Sequence, residues 1–271
     1  MLAMAMRKPL YRPAASRGRG WRWALLGGVI GAACTLTLFA PARWLATLLR
    51  EQSDGRVLLV NARGTVWNGV SGVVFASGQG GADAISLPGA LSWKLRPSWG
   101  GLTAALDLSC CTTQPLGMVA RPGVQGLNLR LQDGQSRWPA ALLTGFGAPF
   151  NTLKPEGVLD LSTQNLELRM SPAQLAFQGR ATLDATDISS SLSTLKPMGS
   201  YRAVIEGGDA PSLILTTREG SLRLSGSGRW TGSRLRFSGE ASAAPGREEA
   251  LSNLLNIIGR RDGARSIINL G

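Results

Sequence analysis

Leucine alternates with polar residues through much of this chain, and that period of two constrains the fold more than any other feature. Leu127, Leu129 and Leu131 are separated by Asn128 and Arg130, and Leu159 and Leu161 by Asp160. Leu166, Leu168 and Met170 follow the same rule against Glu167 and Arg169. Leu175 and Phe177, Leu213 and Leu215, Leu222 and Leu224, and Leu235 and Phe237 continue it. Successive side chains of a strand point to opposite faces, so each run has one apolar and one polar side. Sheets built this way are antiparallel and wetted on one face. Glycine, at 35 residues, supplies the turns. Pairs such as Glu156-Gly157, Gln178-Gly179, Glu219-Gly220 and Thr231-Gly232 are short enough to connect neighbours. The expectation is a mainly β protein, a large, curved, meander-like antiparallel sheet of roughly a dozen strands.

Two segments depart from this period. Ser136–Gly147 has Pro139 early and Leu142, Leu143 and Phe146 on one side, which predicts a short helix ended by glycine. Glu248–Ile258 predicts a second helix, with Leu251, Leu254, Leu255 and Ile258 as its apolar stripe. Glu248 and Glu249 suit the positive end of its dipole, Gly259 stops it, and Arg260 and Arg261 suit the negative end. Such a stripe docks either on the chain's own sheet or on a partner. Gly64–Gly69 and Gly228–Gly232 each place a tryptophan a few residues before a strand, a weak internal similarity.

The other strong signal lies near the N-terminus. No charged residue occurs from Trp23 to Ala42, a length that spans about 30 Å as a helix, the thickness of a bilayer's hydrocarbon core. Trp21 and Trp23 at one end and Trp44 at the other suit the headgroup region. Arg7, Lys8, Arg12, Arg17, Arg19 and Arg22 precede the run, and no acid comes before Glu51. Half of the +12 net charge is therefore this tail, which holds the N-terminus in the cytoplasm. Ala40-Pro41-Ala42 also matches a small-x-small cleavage site, and Cys34 after Gly31-Ala32-Ala33 an acylation site. The long tail and long apolar run favour an uncut span over cleavage, and Gly31 stands where the acylation site needs an aliphatic residue. The expected organisation is a basic cytoplasmic tail (1–22), a transmembrane helix (23–42), a helical neck extending it (43–54) and an exported β-rich domain (55–271).

Chemistry is scarce. Without histidine, histidine-dependent nucleophile systems and the usual zinc ligand sets are unavailable. No phosphate-binding glycine loop is present, and the close carboxylates Asp184 and Asp187, or Asp160 and Glu167, are ordinary for solvated strands. Beyond the tail the basic residues are scattered, which disfavours nucleic acid as a partner. Cys110 and Cys111 are adjacent, and in an oxidising compartment exposed thiols tend to pair. A vicinal disulfide, two free thiols and an intermolecular bond all remain open.

The chain resembles the type II secretion system protein N family. The resemblance is carried by PARWLATLL from Pro41, GRVLLVNARGTVWNG from Gly55, LPGALSWKLRP from Leu87 and the Cys110-Cys111 pair. It continues in SRWPAALLTGFGAPFNTLKPEG from Ser136, SSSLSTLKPMGSY from Ser189 and NLLNIIGRRDGARSIINLG from Asn253. It implies a non-enzymatic accessory component of the inner membrane, with no cofactor and no catalytic residues. Its partners would be other inner-membrane and periplasmic secretion subunits. The half-apolar sheet is also similar to groove-forming AsmA-like envelope proteins, which gives an alternative: a periplasmic module that binds lipid or another amphiphile.

Overall fold

A computed structural model of the chain describes residues 20–76, 78, 84–123, 126–171, 175–232 and 234–271. The arginines and lysine of the tail up to Arg19 lie outside the described residues. The chain divides into two compact units, Met1–Ala40 and Pro41–Gly271.

The first unit holds helix α1, Gly20–Leu38, of which Trp21–Leu38 is long and apolar enough to cross a membrane. Its threonines turn inward on their own backbone. Thr35 Oγ1 donates to the Gly31 carbonyl and Thr37 Oγ1 to that of Ala33, both at 2.8 Å. Hydroxyls satisfied within the helix are the form hydrocarbon tolerates.

The second unit begins with α2, Ala42–Gln52. The expected neck is not a continuation of α1. Pro41 is extended (φ −69°, ψ 145°), pairs with Thr65, and starts a fresh helix that packs against the first strand. A proline biases the residue before it away from the helical region, which explains the break.

Sixteen strands follow among the described residues, against the dozen or so expected. β1–β4 are Val57–Gly64, Asn68–Ala76, Ala84–Ser86 and Leu91–Ser98. β5–β8 are Gly101–Leu108, Leu116–Gly123, Gly126–Leu131 and Gly134–Pro139. β9–β12 are Glu156–Met170, Leu175–Ser189, Gly199–Glu206 and Ser212–Gly220. β13–β16 are Leu222–Thr231, Arg234–Ala243, Arg260–Asp262 and Arg265–Leu270. They form one antiparallel sheet in the order β1-β2-β4-β5-β6-β7-β9-β10-β11-β12-β13-β14-β16-β15. β3 is added on β2 and β8 on β9. β1 and β15 do not pair with each other, so the sheet is a meander that stays open.

The strands are fewer and longer in the middle than the leucine runs suggest. β9 and β10 have 15 residues each and pair along nearly their whole length. β7 and β8 lie end to end in one register along β9, from Leu127↔Met170 to Pro139↔Val158. Gln178-Gly179 is thus not a turn. Gly179 (φ +92°) sits inside β10, opposite an irregularity in β9 around Asn165 (φ 49°). The Asn165 N–H leaves the ladder and donates to Asp133 Oδ1 at 2.6 Å, in the gap between β7 and β8. Gly157 likewise lies in β9 rather than in a connection. A glycine within a strand commonly marks such a bulge. At Gly179 a Cβ would collide with the Asn165 carbonyl, in a backbone region that L residues rarely adopt. Gly179→Ala is expected to cost about 1–3 kcal/mol, read as a lower denaturation midpoint of the full chain.

Cross-strand register places one set of side chains on one face throughout. Trp138, Leu159, Ala185, Tyr201 and Thr217 are successive partners across β8–β12, and Leu222 and Ala243 face each other across β13 and β14. Two cores lie on this apolar face. One gathers Val73, Leu87, Leu108, Cys111 and Leu142, with Val57, Phe75 and Trp138 packed against them. The other gathers Met198, Tyr201, Leu222, Ala241 and three leucines of α4, Glu248–Ile258.

The segment Ser136–Gly147 is a helix only in its second half. Gly134–Pro139 is β8, and a 3-10 helix covers Ala140–Phe146. Trp138 and Ser136 pair with Leu159 and Leu161, so the β ladder outweighs the helical spacing there. Gly145 packs so closely on Phe75 of β2 that no side chain fits, which brings this short helix down onto the sheet. The two tryptophan motifs differ as well. Trp67 lies in the β1–β2 turn, whereas Trp230 is inside β13.

Candidate interaction face

Apart from α2, which packs on β1 from Pro41 at the opposite end, the covering elements lie towards one end of the strands. The 3-10 helix, α3 (Phe150–Leu153), the segment 190–198 and α4 pack over the level of Val73, Trp138, Tyr201 and Leu222. At the other end the apolar face continues as Leu102, Ala120, Leu129, Leu168, Phe177, Ile205 and Leu213, which are half-buried. Leu127, Met170 and Leu270 there are exposed.

Helix α4 is committed to its own sheet. Leu251, Leu254 and Leu255 are buried and Ile258 packs beside them, against β14 and β16. Ser266 Oγ donates to the Leu255 carbonyl at 2.6 Å, satisfying a group near the helix end. Gly259 is extended there rather than left-handed (φ −169°), and any side chain on it would meet the Ile267 backbone. Arg260 and Arg261 belong to β15 rather than to the helix end.

The sulfurs of Cys110 and Cys111 are joined, with their α-carbons 3.7 Å apart, in the turn between β5 and β6. That turn lies along β8. Thr112 bridges to Ser136, and the Arg137 N–H donates to the Cys111 carbonyl at 2.7 Å. Cys111 is buried in the core, while Cys110 faces solvent. Cys34, on α1, is free and exposed. Trp21 and Trp23 stand exposed on α1 and Trp44 on α2.

The polar face is laced with ion pairs. Asp160 and Asp184 are direct cross-strand neighbours, an arrangement that repels unless each charge is neutralised. Arg137 Nε reaches Asp160 at 2.7 Å. Arg202 grips both oxygens of Asp184 at 2.7 and 2.9 Å, and Arg218 adds a longer contact. The Arg202 hydrogen bond holds the Asp184 carboxyl below its usual range, against the opposing pull of desolvation. Each carboxylate of the pair is matched to its own arginine, which offsets their mutual repulsion. Asp187 lies elsewhere, with its N–H on Ser200 Oγ. Because the folded value for Asp184 is depressed, its contribution is complete above its unfolded value near 3.9 and is lost as pH falls through the folded value. Asp184→Asn should cost about 1 kcal/mol or less at neutral pH. It should also flatten the stability loss on acidification, as measured by denaturation midpoints from pH 6 to about pH 2.

Among the described residues no group of three His, Cys, Asp or Glu could hold a metal. Tyr201, buried and donating to the Leu222 carbonyl at 3.1 Å, has its phenol pushed well above the ordinary range by desolvation and serves as a neutral donor.

A family model described as type II secretion system protein N matches residues 55–268. The chain belongs to the type II secretion system protein N family. The match covers the sheet from just before β1 to within β16 and includes both cores, the Cys110-Cys111 turn and α4. No curated protein matches. No solved structure matches either. Membership supports a role in type II secretion, in a family of secretion components not known as enzymes. An apolar helix ahead of the matched region fits a single-pass inner-membrane protein. None of the features of this face has a local sequence signature of its own. The uncovered half differs from the covered half only in what packs on it.

Proposed function

We propose that this protein is a non-enzymatic accessory subunit that holds a periplasmic sheet at the inner membrane for other type II secretion subunits to assemble on. The family match over residues 55–268, downstream of an apolar helix, carries this reading. The N-terminus is cytoplasmic, Trp21, Trp23 and Trp44 lie at the interfaces, and the sheet is periplasmic. The contact surface is the uncovered half of the sheet and its open edges rather than α4, whose stripe is occupied. An edge strand offers unpaired N–H and C=O groups to a partner strand. Site-specific crosslinking in secreting cells tests this. Capture of other secretion subunits from β1, β15 or Leu127 supports it, and capture of none from any of these positions refutes it.

A second reading is favoured by one observation, the run of apolar side chains from Leu102 to Leu213, on which no helix of the sheet unit packs among the described residues. Such a surface fits the acyl chain of a lipid. Native mass spectrometry of the full chain released from detergent separates the two readings, since a lipid-binding groove retains lipid of defined mass.

The Cys110-Cys111 link, in this reading, fixes the turn that lies along β8. Mass spectrometry of unreduced protein should find the pair two hydrogens lighter than the dithiol. Alkylation of both thiols without prior reduction would contradict it.

A further inference from the structure

The uncovered end of the sheet is also its basic end. Arg229 and Arg236 are direct cross-strand partners on the polar face, and Arg234 is two residues further along. All three are exposed, and none has a carboxylate within salt-bridge distance among the described residues. Like charges placed directly opposite destabilise a sheet. Several other arginines on this face are matched to acids, as Arg137 to Asp160 and Arg202 to Asp184, whereas Arg96, Arg121 and Arg223 also have no carboxylate within salt-bridge distance among the described residues. Arg229, Arg234 and Arg236, with serines 212, 227 and 238, line a concavity of about 950 Å³.

Two further observations lie at the same end of the strands. Trp99, at the tip of the β4–β5 hairpin, is completely exposed, and Leu270 is 58% exposed at the end of β16. Pro41, where the chain enters the sheet unit, pairs with Thr65 in the β1–β2 turn. Phe39, Ala40 and Pro41 are the whole connection between α1 and α2.

We propose that this end of the sheet is a membrane-docking rim, which seats Trp99 at the bilayer interface and sets Arg229, Arg234 and Arg236 on anionic phospholipid headgroups. Indole rings partition to the headgroup region, and arginine matches phosphate oxygens in planar, bidentate geometry. The lipid phosphates neutralise the opposed arginines that the protein leaves unmatched. The docked rim leaves the covered end of the sheet and α4 facing away from the bilayer. The proposal rests on α1 being inserted in the membrane.

The test uses the full chain in lipid nanodiscs whose acyl chains carry bromine, a quencher of indole emission. Subtracting the spectrum of a Trp99→Phe variant isolates Trp99. In phosphatidylglycerol discs Trp99 emission should be quenched, and in phosphatidylcholine discs much less so. Combining Arg229→Ser, Arg234→Ser and Arg236→Ser should reduce the quenching about fivefold or more, since each arginine at an anionic surface is worth about that factor. Raising the salt to about 0.5 M should weaken quenching of the native chain in the same direction. Trp99 emission that is equal in brominated and plain phosphatidylglycerol discs, or quenching that ignores lipid charge, would overturn the proposal. Failure of the underlying reading shows separately, because a chain whose α1 is not inserted does not co-migrate with the discs. That result would refute both.

Discussion

Trp93→Ala is expected to lower the stability of the sheet unit by about 3–5 kcal/mol, the largest single-side-chain effect in its N-terminal half. Trp93 is 2% exposed, and its indole N–H donates to the Val66 carbonyl at 2.9 Å. Gly69, its cross-strand partner, lies so close to the ring that a side chain there would overlap it. Removing the ring leaves a cavity beneath β2 and an unsatisfied carbonyl in the β1–β2 turn, and the two losses add. Chemical denaturation of the purified chain measures the change. Trp99→Ala, at a fully exposed hairpin tip, should shift the same midpoint by no more than about 0.5 kcal/mol. The contrast matters because both tryptophans belong to one hairpin, and burial alone separates a packing role from a surface role.

Leu255→Asp is expected to be at least as severe, and to act on the other core. Leu255 and Leu251 are fully buried and Leu254 nearly so, among Tyr201, Leu222 and Ala241. A carboxylate at that position has no partner and must either ionise in an apolar setting or detach the helix. A cost of about 4 kcal/mol or more is expected. It should appear as new protease sites in 247–259 and as exposed apolar surface on β11–β14. If α4 were instead a free docking element, the substitution would leave folding intact and abolish only partner capture. Ser266, which donates to the Leu255 carbonyl, argues for the first outcome.

The class of fold was legible because a period of two is written directly into the leucines, and antiparallel pairing follows from it. Strand number and length were less so, and the reason is visible in the residues. On β9 the apolar positions are odd at Leu159 and Leu161 but even at Leu166, Leu168 and Met170. On the β7–β8 line the positions on the core-facing side are odd up to Leu131 and even at Ser136 and Trp138. Read one-dimensionally, each change of phase ends one strand and starts another. In three dimensions both changes occur at one level of the sheet, where Asp133 accepts the Asn165 N–H and Gly179 gives room. A bulge shifts the phase without ending the strand.

The candidate face was harder to read. Sequence pattern tells which side of a strand is apolar but not which half of that side is covered. Coverage depends on long-range contacts, such as Leu142 under Val73 and Leu254 near Tyr201, that no local spacing encodes. The arginines at 229, 234 and 236 look like ordinary solvated strand residues until register places Arg229 opposite Arg236. The Cys110-Cys111 pair stood out by adjacency alone, but its place along β8 depends on the Thr112–Ser136 bridge.

The tethered-sheet reading is tested most directly by intact-mass analysis of the native chain from fractionated cells, combined with protease treatment from the periplasmic side. The expected result is a chain that retains its basic N-terminus, resists alkaline carbonate extraction and loses its sheet to external protease. A mature chain that begins at Arg43 and is recovered in the soluble periplasmic fraction would contradict it.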